Sequence, residues 1–299
     1  MTTIGDRVVV RRRNGNHLSD IIGHVISLDP LVIRPQKVGG LPSNTPAISI
    51  PAEDIQIIRR LSPRRVRNSE IRELERLTAM AFPGTHHQWS SNGQWLMRAG
   101  HGITERSNSA APLGPSVLYD QLPIKELHAF YHQHGLPMQI LIPDRIAPRL
   151  SPQQWDIGPD ILVMTTLIGE EDWPEVPEFR VHRRPPDYWL SLYEFRGQAL
   201  PEDDGLLEGT AYYVDLAGKA IARLHILDGY VGISGVNVGP EWRRQGLGRV
   251  LGQGILAWAA RKGASHAYLQ VLESNSAGRK LYESLGFIEH HRHRYARWR

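Results

Sequence analysis

The chain has 299 residues, 41% hydrophobic and 22% charged, with 35 Lys+Arg against 31 Asp+Glu and no cysteine, a length and balance that suit two or three domains of an ordinary globular protein. The missing cysteines exclude disulfides, thiolate metal sites and a cysteine nucleophile, and no apolar run approaches a membrane span, the richest being ILVMTTLIG at 161–169. The opening MTTIGDRVVVRRR lacks the apolar core and cleavage site of a secretory signal, so a cytoplasmic protein is expected.

In chain order, GDRVVVRRR, DIIGHVISLD, LVIRPQ, AISIPAED and IQIIRRL are short β-rich runs separated by turn residues, the punctuation of a small β barrel over residues 1–60. Residues 1–67 carry 11 basic against 5 acidic groups, and the remainder 24 against 26. A basic end is expected to be a solvated face on a small barrel, with attraction to an acidic or nucleic-acid partner as the alternative; no aromatic residue occurs there, so a base-stacking platform is not expected. LSPRRVR at 61–67 reads as an exit linker. SEIRELERLTAMAF reads as a helix capped by Ser69, and GQWLMRAG with GITERSNSA as a hairpin. IKELHAFYHQHG reads as a helix ended by Gly135, followed by strands MQILIP and DILVMTTLI. The proline-rich tract DWPEVPEFRVHRRPPD at 172–187 marks a second boundary.

Beyond it, AYYVDLAGKAIARLHILDGYVGISGVNVGP predicts a three-strand meander with turns at Ala217-Gly218 and Asp228-Gly229. A helix from about Arg244 to Lys262, strand HAYLQV, helix SAGRKLYESLG and short strands GFIEH and HRHRYARW complete an α/β (α+β) domain with a mixed sheet. The first turns of that helix hold Gly246, Gly248, Gly252 and Gly254, each costing about 0.8–1 kcal/mol against alanine. A helix built this way is expected to have something close to its backbone. Bare N–H groups at a helix N-terminus suit phosphate oxygens, and Arg243 and Arg244 add charge. A Walker loop is absent, and Leu251 stands where a dinucleotide fingerprint needs its third glycine.

VNVGPEWRRQGLG resembles the core motif of the GNAT superfamily of N-acetyltransferases, in which R-x-x-G-x-G (here Arg243, Gly246, Gly248) cradles the pyrophosphate of coenzyme A. Asn275, Leu281, Tyr282, Leu285, Gly286 and Phe287 are similar to that family's downstream signature, with Gly278 in place of the usual alanine. The resemblance covers roughly 175–299 and implies a catalytic GNAT domain with a mixed, mostly antiparallel sheet. It also implies acetyl-CoA as cosubstrate and an amine acceptor, with no metal. Cofactor contacts are implied at Val236, Asn237, Val238, Arg243, Arg244, Gln245, Gly246, Leu247, Gly248, Arg249 and Asn275. The segment 68–170 resembles a degenerate GNAT copy, lacking R-x-x-G-x-G and so expected to shape the acceptor side. The whole order is similar to an actinobacterial GNAT group with an SH3-like N-terminal domain, linked to histone-like acetylation.

An amine attacks a thioester only as its free base, so a base or a water chain is needed. The Val238 N–H matches the family's donor to the thioester carbonyl, and Tyr282 its general acid, with a buried core tyrosine as the alternative. For the base, Glu194, Glu208, His225 and Glu273 stand open, and Glu105 and Arg106 are candidates to face the acceptor. His291 and His293 share a strand face, but two ligands without a third do not make a metal site. A bulky residue at Gly246 or Gly248 is expected to block the cofactor and leave the fold intact. The reading set against acetyl transfer to a small amine or a protein lysine is a non-catalytic acyl-CoA-sensing or nucleic-acid-associated protein.

Overall fold

Val8 and Val10 on one run and Leu31 and Ile33 on another alternate with less buried neighbours, the period of strands with one face inward. They lie in β1 (Arg7–Asn14), β2 (His17–Leu28), β3 (Leu31–Pro35), β4 (Ile48–Ile50) and β5 (Ile55–Arg60), an antiparallel sheet of order β4-β3-β2-β1-β5. Ile21, Val25 and Ile50 complete its core. The computed structural model describes every residue except 1, 16, 38, 39, 41, 44, 62–65, 170–174, 196, 197 and 200–209. Most of the expected linker and Glu208 therefore lie outside the described residues. The chain divides into two units, residues 1–66 with 169–172, and residues 67–168 with 173–299.

The second unit opens with α1 (Asn68–Ala81), β6 (His86–Trp89), β7 (Trp95–Ala99), β8 (Ala111–Pro112), α2 (Ile124–Gln133), β9 (Gln139–Pro143), β10 (Trp155–Ile157) and β11 (Ile161–Leu167). It continues with β12 (Phe179–His182), α3 (Asp187–Leu192), the short pair β13 (Glu194–Phe195) and β14 (Gln198–Ala199), β15 (Tyr212–Leu216), β16 (Ala220–Leu227) and β17 (Tyr230–Val238). It closes with α4 (Leu247–Arg261), β18 (His266–Leu272), α5 (Ser276–Ser284) and β19 (Ile288–Trp298). Ser69 is not the cap of α1: Arg67 is, its N–H donating to Glu70 Oε2 at 2.7 Å. Asp228 and Gly229 both hold positive φ in the two-residue turn that joins β16 to β17, as the hairpin signal predicts.

The main sheet runs β10-β19-β11-β18-β17-β16-β15-β12, with β9 also on β19. All its pairs are antiparallel except β17 with β18. The segments 68–168 and 173–299 are one compact unit, because β11 from the first inserts between β18 and β19 of the second. Two expected strands differ. GITERSNSA forms no strand: Asn108 Oδ1 accepts from the N–H groups of Gly100 (2.8 Å) and Gly102 (3.2 Å), and its Nδ2 donates to Thr104 O (2.7 Å), folding 100–108 on itself. GFIEH and HRHRYARW are one strand, β19, with a register shift where it passes β11. The earlier half places β6, β7 and β8 as a meander followed by α2 and then β9, which makes an isolated parallel bridge to Ala110, the residue before β8, through Ala110 N–H to Gln139 O (2.9 Å) and Leu141 N–H to Ala110 O (2.8 Å). This is the element order of β15, β16, β17, α4 and β18. Among the described residues, no helix is long and apolar enough to cross a membrane.

Candidate active site

β17 and β18 pair only from Tyr230↔His266 to Ile233↔Leu269. Past that point β17 stays with β16 as far as Val238, and β18 with β11 as far as Leu272, so the strands part and leave a gap in the sheet. Gly239 N–H donates to Lys219 O on the β16 side (2.9 Å), so by antiparallel alternation the N–H and C=O of Val238 face the gap. Gly235, with φ of +58°, sits in the stretch where the β16–β17 register shifts. A Cβ there would meet the Tyr193 ring at 2.4 Å, which is why the bulge needs glycine.

Arg243 Nε donates to Val238 O at 3.0 Å, and its Nη2 to Asn237 Oδ1 at 3.5 Å. Asn237 Nδ2 in turn donates to Leu192 O (2.6 Å), and Gln245 Nε2 to Glu241 O (3.1 Å). Arg243 and Gln245 thus brace the turn from β17 into α4, a role the sequence did not show. Arg244 holds φ at +63° and Gly246 at +81°; Gly246 is the N-cap of α4, with no side-chain cap and no acidic residue in the first turn. Gly246, Arg244 and Arg249 are exposed, leaving the positive end of the helix dipole and its N–H groups open to an anion. The other glycines do packing work. A Cβ on Gly248 would meet Leu281 at 3.1 Å, on Gly252 Leu285 at 2.3 Å, and on Gly254 the Phe179 ring at 2.6 Å. The expectation that Gly248 tolerates bulk without disturbing the fold is therefore corrected: α5 stands in the way.

Behind the turn, Ile233, Val236, Gly248, Leu251, Leu269 and Tyr282 line an apolar cleft between the parted strands and the helices α4 and α5, and Leu247 packs on the same core. Tyr282 reaches it from α5, edge-on to Phe287 (6.1 Å), and burial pushes its pKa up to about 12. Asn275 is the N-cap of α5, its Oδ1 accepting from Gly278 N–H at 2.9 Å. A Cβ on Gly278 would meet the Asn275 amide at 2.8 Å.

A second cleft lies on the opposite face, against α1. Thr78, Phe82, Arg106, Arg223, His225, Ser234, Tyr268 and Gln270 line it, and Ile233 and Leu269 line both clefts. The two faces of the sheet thus meet where β17 leaves β18. Arg106 Nε donates to Gln270 Oε1 (2.7 Å) and Arg223 Nη2 to Ala81 O (2.8 Å). Burial, then the Arg223 charge, pushes the pKa of His225 below its ordinary value, so this imidazole is neutral at pH 7. Of the bases left open, His225 lines a cleft, whereas Glu273 accepts from Arg292 (2.7 Å) outside both. The side chain of Glu194 lies outside the described residues. Reading the sequence missed Arg223, Ser234 and Gln270. The available signal was an arginine two residues before His225 within the otherwise apolar AIARLHIL.

The third group that His291 and His293 lacked in the sequence arrives from α1. Glu75 Oε1 lies 2.8 Å from His291 Nε2 and 2.6 Å from His293 Nδ1, all three buried. Burial alone would raise the Glu75 pKa; the charge of His293 and hydrogen bonds from both imidazoles outweigh it and hold the carboxyl well below the usual range. Ligand atoms around an ion at about 2.1 Å stand roughly 3 Å or more apart. The spacing here is that of a carboxylate accepting two hydrogen bonds.

The fold is shared with a solved GCN5-related N-acetyltransferase from Kribbella flavida, with a TM-score of 0.55 at 16% identity over 77% of this chain and 95% of that one. The family described as "Probable histone acetyltransferase Rv0428c C-terminal" matches residues 68–296. The chain belongs to it and is a GNAT-type N-acetyltransferase. It is 33% identical to the Mycobacterium tuberculosis "Probable histone acetyltransferase Rv0428c" over 98% of this chain and 94% of that protein. It is 26% identical to the "Uncharacterized N-acetyltransferase YobR" of Bacillus subtilis over 74% and 97%.

Proposed function

We propose that the chain transfers the acetyl group of acetyl-CoA to a primary amine by direct attack, with the cosubstrate on the α4 side of the sheet and the amine on the α1 side. The observation that carries this is the meeting of an apolar cleft and a polar cleft at Ile233 and Leu269, the point where β17 and β18 part. Acetyl-CoA supplies an activated acetyl thioester. The N–H groups of α4 from Gly246 onward, with Arg244 and Arg249, hold its pyrophosphate, and Arg243 keeps the turn in shape. The Val238 N–H, which faces the gap, suits the pantetheine arm as an added strand. Val236, Asn237, Gln245, Leu247, Gly248 and Asn275 form the surround, Asn275 acting through its cap on α5.

On transfer, the amine nitrogen bonds to the acetyl carbon and the carbon–sulfur bond breaks. One proton leaves nitrogen, and sulfur gains one. His225 is the neutral base that lines the acceptor cleft, and Tyr282 the hydroxyl in the cofactor cleft. The name of the M. tuberculosis relative brings a histone-like lysine into the set of acceptors to test. The first test is calorimetry of acetyl-CoA binding together with thiol release over a panel of amines. Binding with acceptor-dependent release is expected; binding without release from any amine would leave the acyl-CoA-sensing reading standing.

A further inference from the structure

Given the proposed acetyl transfer, on which it rests, we infer that the cleft on the α1 side selects amines that also carry a carboxylate, held by Arg106 and Arg223, over polyamines and lysine-rich polypeptides. The lining includes two guanidiniums and neither Asp nor Glu. Arg223 is 1% exposed on the strand next to β17, directly across from Ser234, and its guanidinium lies 4.3 Å from the Phe82 ring centroid. Arg106 is over the same ring at 5.2 Å. The Phe82 ring and hydrogen bonds to Ala81 O, Tyr213 and Gln270 Oε1 hold the two guanidiniums in position.

That charge is felt around the site. Burial and then Arg223 lower the His225 pKa, and Arg106 is the neighbouring charge acting on Tyr282. Glu75, the buried carboxylate one turn earlier on α1, is held by His291 and His293. Glu105, next to Arg106 in the chain, is not part of the lining. A carboxylate entering such a cleft gains charge-assisted, geometrically matched hydrogen bonds, whereas an acceptor bearing only ammonium groups meets like charge in a partly desolvated space.

The experiment compares kcat/KM for each standard amino acid with that for its decarboxylated amine, lysine against cadaverine for example, and adds a lysine-rich peptide. The amino acid of the best pair should be preferred at least about tenfold. Arg106→Gln should reduce that preference to within about threefold, mainly by raising KM for the carboxylated partner, while Arg106→Lys keeps most of it. A wild-type preference for the decarboxylated amines or the peptide overturns the inference, as does a preference unchanged in Arg106→Gln. Should Arg106→Gln not fold, the wild-type ratio and Arg106→Lys still decide. Acetyl-CoA binding is measured alongside. Failure to bind overturns the acetyl-transfer reading itself, whereas binding without turnover of any carboxylated amine overturns the selectivity alone.

Discussion

Tyr282 shows how a motif residue is changed by its surroundings. Its pKa of about 12 makes it a weaker acid than a thiol near 8.5, so complete proton transfer to sulfur is uphill by about 5 kcal/mol. In the proposed reaction its contribution is a hydrogen bond to the developing thiolate, so Tyr282→Phe should cost toward the lower end of the about 100-fold to 10,000-fold span of general acids. Acetyl-CoA affinity should be unchanged, since the ring packing is kept. Because the hydroxyl stays protonated up to about pH 12, no alkaline fall in rate below that pH arises from Tyr282. Steady-state rates that drop less than about threefold at pH 7 would make it a packing residue. Glu75 acts differently. A lowered carboxyl pKa gives stability that is present above the ordinary value near 4.3 and drains away as pH falls below it. Glu75→Ala leaves two buried imidazoles without their acceptor, which should cost about 3–5 kcal/mol in urea unfolding at pH 7. That loss should shrink as the wild type is itself acidified below pH 4.

At the scale of elements, α4 explains why its glycines defied helix propensity. Only Gly246 serves the open N-terminus; Gly252 and Gly254 admit α5 and β12. For Gly254→Ala, the helix gain of about 0.8–1 kcal/mol is set against overpacking on a ring, about 1–3 kcal/mol. A net fall in stability is expected in thermal unfolding, with acetyl-CoA affinity little altered; a rise in Tm would mean that β12 yields easily. Gly246→Ala meets open space but must hold a left-handed φ, at about 1–2 kcal/mol. The helix α4, the meander and α5 were legible because their signals are local: helical spacing of apolar residues, Asp228-Gly229, Asn275. The cleft on the α1 side was legible only at Arg106 and His225, because Thr78, Arg223 and Gln270 join them from distant segments. β6, written HHQW, was missed because all four of its residues are exposed and leave no apolar alternation to read.

At the scale of the whole molecule, sequence marked a boundary near 170 from proline content, yet β11 crosses it to lie between β18 and β19. Composition cannot report a strand exchange, since a strand reads alike in either sheet. The other boundary has a physical basis in separate cores. The first unit closes around Val8, Val10, Ile21, Val25, Leu31, Ile33 and Ile50, and every residue placed in the two clefts lies in the second. A chain of residues 67–299 should therefore fold cooperatively and bind acetyl-CoA within about threefold of the full protein, as independent cores do not share binding energy. Residues 1–66 carry an excess of basic groups, and the electrostatic part of any affinity they give for an acidic partner should weaken with salt. Should nucleic acid be that partner, its affinity in the full chain should fall steeply between 50 and 200 mM salt, while acetyl-CoA affinity, which engages fewer phosphates, falls much less. Calorimetry on both chains at both salt concentrations checks this. A truncated chain that is folded by circular dichroism yet fails to bind acetyl-CoA would show that the first unit takes part in the site.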